Sequence, residues 1–473
     1  MKKTLSLSAI ALFFFLTACT MAPDYKRPDS PVGSAWPGGA AYLYAENAED
    51  ETTPQASKIF WQDFIADPNM KEVIATALVN NRDLRIAALN MEMARALYGI
   101  ERVSLVPSLN AAGGLYKERV PESLSSTGNA YTAEKYSVNL GITSWEIDFF
   151  GRIRSLKDKA LEEYLASRQV FNSARLMLIS SVAQAYLALA ADRESLQLVT
   201  KTLEIQEDVY TIIKKRYDAG VVSELDLKRA QSQVETARGD VARYTQQLAQ
   251  DENALNLLVG SPVKQALLPR NLTSVNAPRN ISAGLSSEIL LQRPDVLAAE
   301  HRLKAANANI GAARAAFFPR IALTTAYGTA SSDLSGLFKS GSGTWTFAPN
   351  MVMPVFDART WFAYNATKIE KEISVAQYEK AIQTAFREVS DALAEKGTIN
   401  QRVAAQQALV DALQDTLRLS QLRYEKGVDS YLSVLDAQRS LRFVQQGLIM
   451  LRFAQMNNLI NLYKTLGGED RQE

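Results

Sequence analysis

Side chains that carry out chemistry in enzymes are scarce in this chain of 473 residues, which contains one histidine and one cysteine. His301 lies between Glu300 and Arg302 in a helical pattern, which is typical of a solvated surface. One histidine cannot build a histidine-based metal site unless other ligands converge on it. The sequence shows no nucleophile motif, no paired catalytic carboxylates and no phosphate-binding loop. It therefore predicts a protein that is not an enzyme and has no cofactor or metal, and the net charge of +1 argues against nucleic acid as a partner.

The single cysteine ends an N-terminal secretory signal. Lys2 and Lys3 precede an apolar run over residues 5–16, which is shorter than the roughly 20 residues that a membrane-spanning helix needs. The Leu-Thr-Ala before Cys19 resembles a bacterial lipoprotein signal, in which the cysteine receives lipid, including palmitate, and becomes the mature N-terminus. In such proteins Thr20, instead of an aspartate, after the cysteine points to the outer membrane. The alternative is a cysteine that lies in a signal peptide by chance.

Two short turns dominate the remaining sequence. Residues 216–231 and 423–438 are identical at eight of sixteen positions, and the second stretch follows the first by 207 residues. This spacing predicts an internal twofold repeat. Each turn has a glycine suited to a left-handed helix C-terminus and a serine suited to an N-cap, with Asp429 as the alternative cap in the second turn. Each turn therefore predicts two antiparallel helices. The turn residues are Gly220, Ser223, Gly427 and Ser430.

Helical periodicity surrounds these turns. It covers about residues 70–104, 151–217, 224–258, 287–317, 358–424 and 432–466. At 1.5 Å per residue the longest of these helices reach about 100 Å, and two shorter helices match one long helix in length. Prolines in the middle of the chain forbid a continuous helix there. We therefore expect a signal peptide (1–18), an extended lipid-anchored segment (19–57), a first repeat (58–265), an equatorial linker (266–286), a second repeat (287–468) and a C-terminal tail (469–473).

Each repeat inserts a pair of strands before its long helix. The strands are predicted at about 107–119 and 132–147 in the first repeat, and at 319–330 and 344–355 in the second. Apolar and polar residues alternate along them, and they reach the roughly ten residues that a tilted membrane strand requires. Four strands cannot close a membrane barrel, so several chains would have to share one. The alternative is a four-stranded sheet on a soluble helical protein.

Several motifs resemble those of the outer-membrane factor family, the TolC-like channels of tripartite efflux systems, and in particular its lipoprotein branch. They are residues 22–28 (APDYKRP), 80–85 (NNRDLR), 145–152 (WEIDFFGR), 291–295 (LQRPD), 306–319 (ANANIGAARAAFFP) and 431–440 (YLSVLDAQRS). The resemblance implies an α+β, mostly α fold. It further implies a homotrimer with a twelve-stranded outer-membrane β-barrel, four strands per chain, continued by a periplasmic α-helical coiled-coil barrel.

The resemblance also implies roles for individual residues. Both turns would lie at the periplasmic tip, and Leu432, Asp436 and Arg439 would form the pore gate. Because these three positions are separated by four and three residues, they share one helix face. Threefold symmetry would turn Leu432 into an apolar collar and Asp436 into a ring of carboxylates, which repel one another unless they are protonated, paired or bridged. Arg439 is the natural partner, and an ordinary exposed ion pair is the alternative.

The implied function is a passive exit duct for drugs or other toxic small molecules. The implied partners are a periplasmic adaptor (membrane fusion) protein, an inner-membrane pump of the resistance-nodulation-division class and the lipid of the outer membrane. The alternative is an outer-membrane export channel for metal ions or secreted proteins, and a more remote one is a periplasmic coiled-coil spacer without a pore.

Overall fold

The structure is a computed structural model that describes residues 20–42, 59–283 and 286–468. The expected signal peptide, the expected lipidation site Cys19 and the expected tail lie outside the described residues. The helices are α1 (Trp61–Phe64), α2 (Pro68–Asn80), α3 (Arg82–Val103), α4 (Arg152–Asp218), α5 (Glu224–Val259), α6 (Pro294–Ala315), α7 (Ala358–Glu425) and α8 (Tyr431–Thr465). The strands are β1 (Leu109–Val120), β2 (Tyr131–Ile147), β3 (Arg320–Ser331) and β4 (Gly343–Val352). The described chain is thus mostly helical with one four-stranded sheet, as expected.

The chain divides into two compact units. The first unit comprises residues 20–29, 90–168 and 298–378, and it contains the whole sheet. The sheet is an antiparallel meander in the order β1-β2-β3-β4, so the pairing of β2 with β3 joins strands from the two halves of the sequence. Large apolar side chains on the strands, among them Leu115, Tyr327 and Trp345, are exposed. The expected strands agree with the observed ones to within three residues at each end, because the alternating pattern and the flanking prolines mark their limits.

The second unit comprises residues 30–42, 59–89, 169–283, 286–297 and 379–468. Its core includes one face of α4, on which Leu178, Val182, Tyr186 and Leu189 recur at helical spacing and are buried. The most apolar stretch of α4 is more than half buried, as in the core helix of a folded protein. The buried Tyr186 hydroxyl has a partner here: it donates to the Leu267 carbonyl oxygen at 2.9 Å, as expected for a polar group withdrawn from water.

Two expected helices are interrupted, which corrects the sequence interpretation. The expected helix over 70–104 breaks at Asn81, which has an extended backbone. Its Oδ1 accepts from the amide of Leu84 at 2.8 Å and caps α3, while its Nδ2 donates to the Leu258 carbonyl oxygen at 2.8 Å. The expected helix over 287–317 begins instead as a 3-10 turn (Ser287–Gln292), and α6 starts at Pro294. Proline is well suited to the first turn of a helix, but it disfavours helical geometry in the residue before it.

Helices α4 and α5 bring two carboxyl groups together in the second unit. Burial and the neighbouring carboxyl of Asp251 raise the pKa of Asp192 to about 7, and Arg243 opposes this shift. Asp251 Oδ1 accepts from Gln247 Nε2 at 3.0 Å, and the Asp251 carboxylate also accepts a hydrogen bond from the protonated Asp192 carboxyl. Two carboxylates cannot both ionise in such a place without repulsion.

This carboxyl pair predicts a pH-dependent stability. An aspartate in an unfolded chain titrates near pH 3.9, so between that value and about pH 7 the folded state holds a proton that the unfolded chain has released. Linkage then requires the stabilising contribution of this proton to be present at low pH and lost as the pH rises through about 7. We expect Asp192→Asn to raise the thermal unfolding temperature in detergent at pH 8, with a gain that shrinks towards pH 5. Asp208→Asn, at an exposed position of α4, is the control; an equal gain at both pH values would contradict the prediction.

Candidate functional site

The two repeated turns have the same backbone geometry, and both lie in the second unit. Gly220 and Gly427 each have a φ of 70°, in the left-handed region, as the sequence predicted. The amides of Gly220 and Val221 donate to the carbonyl oxygens of Tyr217 and Arg216, at 2.8 and 2.9 Å. The second turn repeats both hydrogen bonds at equivalent residues, at 3.0 and 2.9 Å. A Cβ at either glycine meets no atom within 4 Å, so the backbone conformation, and not space, requires glycine.

The helix starts that follow the two turns differ. Ser223 caps α5: its Oγ accepts from the amide of Asp226 at 3.2 Å and donates to the carboxylate of Asp226 at 2.7 Å. Ser430 occupies the N-cap of α8 but makes no capping hydrogen bond with its side chain. Asp429 does not cap either, because Arg423 binds its carboxylate with an Nε–Oδ2 distance of 2.5 Å. An ion pair across the second turn thus replaces the cap of the first.

These caps predict unequal effects of the same substitution. Ser223→Ala is expected to destabilise the start of α5 by about 1 kcal/mol, since an N-cap hydrogen bond is lost. Amide hydrogen exchange over residues 224–227 should then speed up about fivefold. Ser430→Ala, which removes no capping hydrogen bond, is the matched control and should leave exchange at the start of α8 nearly unchanged. Equal acceleration at both helix starts would contradict this assignment.

The two helical hairpins, α4–α5 and α7–α8, pack against each other close to their turns. A buried apolar cluster holds them together; its buried members are Ile213, Ala230, Tyr431, Val434 and Leu435. At its edge Arg216 Nη1 donates to the Tyr424 hydroxyl at 2.8 Å, and the guanidinium carbon of Arg216 lies 5.5 Å from the centre of the Tyr424 ring. Burial raises the pKa of Tyr431, whose hydroxyl has no hydrogen-bonding partner among the described residues. The two hairpins are therefore held together near their turns mainly by apolar contact.

Two polar links join the same hairpins further from the turns. Gln206 Nε2 donates to Gln438 Oε1 at 3.0 Å, between α4 and α8. Arg442 Nη1 lies 3.0 Å from Asp240 Oδ2, between α8 and α5, and both side chains are only about a fifth exposed. Sequence reasoning missed these links, because their partners lie more than 200 positions apart and no local spacing marks them.

The three expected gate residues lie together on the exposed face of α8. Tyr431, Val434 and Leu435 point into the cluster, whereas Leu432, Asp436 and Arg439 are exposed. Arg439 Nη2 is 2.7 Å from Asp436 Oδ1, so the expected partnership between these two residues forms within one chain.

The first hairpin has no such pair at the equivalent positions. Arg229 and Ser232 stand where the second hairpin has Asp436 and Arg439. Arg229 Nη1 lies 3.8 Å from Asp226 Oδ1, and the Ser232 hydroxyl donates to the backbone of Arg229. The two hairpins of one chain therefore present different charges.

Comparison with known proteins decides the family. The family profile described as outer membrane efflux protein matches residues 73–261 and 285–468. The chain belongs to the outer membrane efflux protein family. It is 48% identical over 463 residues to the toluene efflux pump outer membrane protein TtgF of Pseudomonas putida, covering 97% of this chain and 96% of that one.

Solved structures agree with this membership. The open-state MtrE outer membrane channel of Neisseria gonorrhoeae superposes with a TM-score of 0.85 at 36% identity, covering 96% of this efflux protein and all of MtrE. CusC, whose structures describe transmembrane channel formation, gives a TM-score of 0.83 at 40% identity, covering 95% of this chain and all of CusC. The expected membership among the TolC-like outer-membrane factors is confirmed. The protein is an outer-membrane efflux channel and not an enzyme, as the sequence predicted.

Proposed function

We propose that this protein is the exit duct of a tripartite efflux pump. In this role it passively conducts drugs or other toxic small molecules to the outside from a periplasmic adaptor and an inner-membrane resistance-nodulation-division pump. The observation that carries the proposal is the match of both halves of the chain to the outer membrane efflux protein family. The relative TtgF is named as part of a toluene efflux pump, and this similarity suggests that apolar solvents are among the transported molecules.

The open sheet supports a trimer. Among the described residues β1 pairs only with β2 and β4 only with β3, so one side of each outer strand has no backbone partner. In lipid such edges must be paired, and four strands are too few to close a barrel. Pairing β4 of one copy with β1 of the next in three copies gives a closed barrel of twelve strands. The exposed apolar side chains of these strands, such as Trp345 and Phe347, then face lipid.

The aperture is proposed at the tips of the hairpins. Three copies of α8 would direct Leu432, Asp436 and Arg439 towards the symmetry axis and close the pore. The twofold repeat is supported by the identical backbone hydrogen bonds of the two turns. We further propose that the two repeats span residues 58–265 and 287–468, that residues 266–286 link them, and that lipid is attached at Cys19.

Accumulation of a fluorescent efflux dye tests the function. Cells that lack the gene should retain more dye than the parent strain, and a plasmid carrying the gene should reverse the change, whereas an empty plasmid should not. Toluene tolerance should be lower in cells that lack the gene than in the parent strain, and the plasmid carrying the gene should restore it. Unchanged accumulation and tolerance, in a strain without a second outer-membrane efflux protein, would favour export of metal ions or proteins instead.

A further inference from the structure

Residues 20–29, here called the N-terminal tract, belong to the first unit and lie along helix α6. Arg27 Nη2 lies 2.7 Å from Oε2 of Glu300, a carboxylate whose side chain is 3% exposed, and the Tyr25 hydroxyl donates to Oε1 at 3.2 Å. Two helical turns further along α6, Asn307 Nδ2 donates to the carbonyl oxygen of Pro23 at 2.7 Å. A buried carboxylate that receives a charge-assisted bond is costly to leave unpaired. The tract is therefore held in one place.

The tract continues in the same direction up to its first described residue. Ala22 lies against Gly311 so closely that a Cβ on this glycine would be 2.6 Å from the Ala22 amide nitrogen. Arg314 Nη1 donates to the Met21 carbonyl oxygen at 3.2 Å, and the hydroxyl groups of Thr20 and Ser155 lie 2.9 Å apart. The tract thus runs antiparallel to α6 and reaches Arg314, one residue before the end of α6.

An open groove of about 570 Å³ lies at this point. Residues 20–22 line one part of it, and the other lining residues are Arg314, Phe317, Phe318, Trp361 and Tyr364. Phe317 packs edge-on against both Trp361 and Tyr364, with ring centres 6.5 and 5.9 Å apart. Even so, Trp361 remains 56% exposed. The groove has the size of pockets that hold drug-sized ligands, roughly 300–1,000 Å³.

We propose that one acyl chain of the lipid carried by Cys19 lies in this groove. The proposal rests on lipid attachment at Cys19, which is part of the proposed function. Cys19 directly precedes Thr20, so the lipid is attached one residue from the groove wall. The aromatic walls supply the apolar surface that an acyl chain requires. Tryptophan and tyrosine beside an arginine are typical of a membrane interface. The lipid then holds the residues just before β3 against the start of α7, in addition to anchoring the chain in the membrane.

Photochemical cross-linking from the acyl chain tests this placement on the full-length protein. Cells are grown with a fatty acid that carries a diazirine, and the protein is purified. Intact mass spectrometry first establishes acylation of Cys19, and the protein is then irradiated and digested. We expect a product that joins the acylated N-terminal peptide to a peptide containing Phe317 or Trp361. A mixture of nitrogen-14 and nitrogen-15 protein distinguishes links within one copy from links between copies.

The other outcomes overturn the proposal in distinguishable ways. Adducts of free phospholipid at Phe317 or Trp361, without a link to the N-terminal peptide, assign the groove to membrane lipid. Links only between copies assign it to a neighbouring subunit, and links only elsewhere in the chain leave the acyl chain outside the groove. If the intact mass shows no acyl group on Cys19, the lipid anchor itself fails, while the proposed efflux function is still judged separately by dye accumulation.

A pair of neighbouring variants sharpens the result. Trp361→Ala removes the largest wall of the groove and should lower the yield of the internal product severalfold. Phe362→Ala is the matched control, because this residue is 70% exposed and does not line the groove. Equal yields from the two variants would contradict the placement, and the wild-type cross-link decides the question if Trp361→Ala does not fold.

Discussion

The double variant Asp436→Ala/Arg439→Ala is expected to conduct severalfold more current than the wild-type channel in a planar lipid bilayer. Both side chains are exposed on the face of α8 that also carries Leu432, and they are joined at 2.7 Å. In the proposed trimer three such pairs meet at the axis, where long paired side chains narrow the pore and fixed charges set its ion preference. Truncation to alanine removes both the obstruction and the charges.

The stability of the protein should hardly change in this variant. An exposed ion pair between residues three apart on a helix contributes under about 1 kcal/mol, so a change in conductance cannot be ascribed to unfolding. The matched control is Asp415→Ala/Arg418→Ala on α7, because this pair has the same spacing, a distance of 3.3 Å and similar exposure. Unchanged conductance in the Asp436→Ala/Arg439→Ala channel, or an equal rise in the control, would remove these residues from the gate.

Local sequence signals anticipated much of the site. A glycine that needs a left-handed backbone and a serine placed for an N-cap are readable from a few residues, and Gly220, Gly427 and Ser223 adopt the expected geometry. The shared face of Leu432, Asp436 and Arg439 follows from helical spacing alone. Ser430 illustrates the limit: it stands at the expected N-cap, but its side chain makes no capping hydrogen bond, and an ion pair between Arg423 and Asp429 spans the turn.

The sequence could not reveal what depends on distant contacts. The helix break at Asn81 is fixed by a hydrogen bond to Leu258, 177 positions away, and Asn81 by itself is only a weak helix former. The Arg442–Asp240 link joins residues 202 positions apart, and several other acidic residues would have matched Arg442 equally well by type. Periodicity predicts which face of a helix is buried but not which residue it meets.

Arg293→Ala is expected to lower the free energy of unfolding by about 3 kcal/mol, because it removes a buried guanidinium that binds two partly exposed acids and a helix-end carbonyl oxygen. The Arg293 side chain is 8% exposed, and its guanidinium binds Asp295 in a two-pronged arrangement and Glu388 through Nη2 at 2.8 Å. Burial disfavours the charge, but hydrogen bonds with these acids outweigh it and raise the pKa of Arg293. Unfolding by guanidinium chloride in detergent, monitored by the loss of the helical circular dichroism signal, measures the change in the free energy of unfolding.

The position of Arg293 in the fold explains the size of the expected loss. Its Nη1 donates to the carbonyl oxygen of Thr465 at 2.6 Å, and Thr465 is the last residue of α8. The last carbonyl groups of a helix have no partner within the helix, so one guanidinium completes α8 and neutralises two acids. Arg293→Lys keeps the charge but cannot reproduce the planar fork and should lose less. Arg387→Ala, at an exposed position beside Glu388, is the control and should stay within about 0.5 kcal/mol of wild type. If Arg293→Ala unfolds at the same guanidinium concentration as Arg387→Ala, the network does not hold the end of α8.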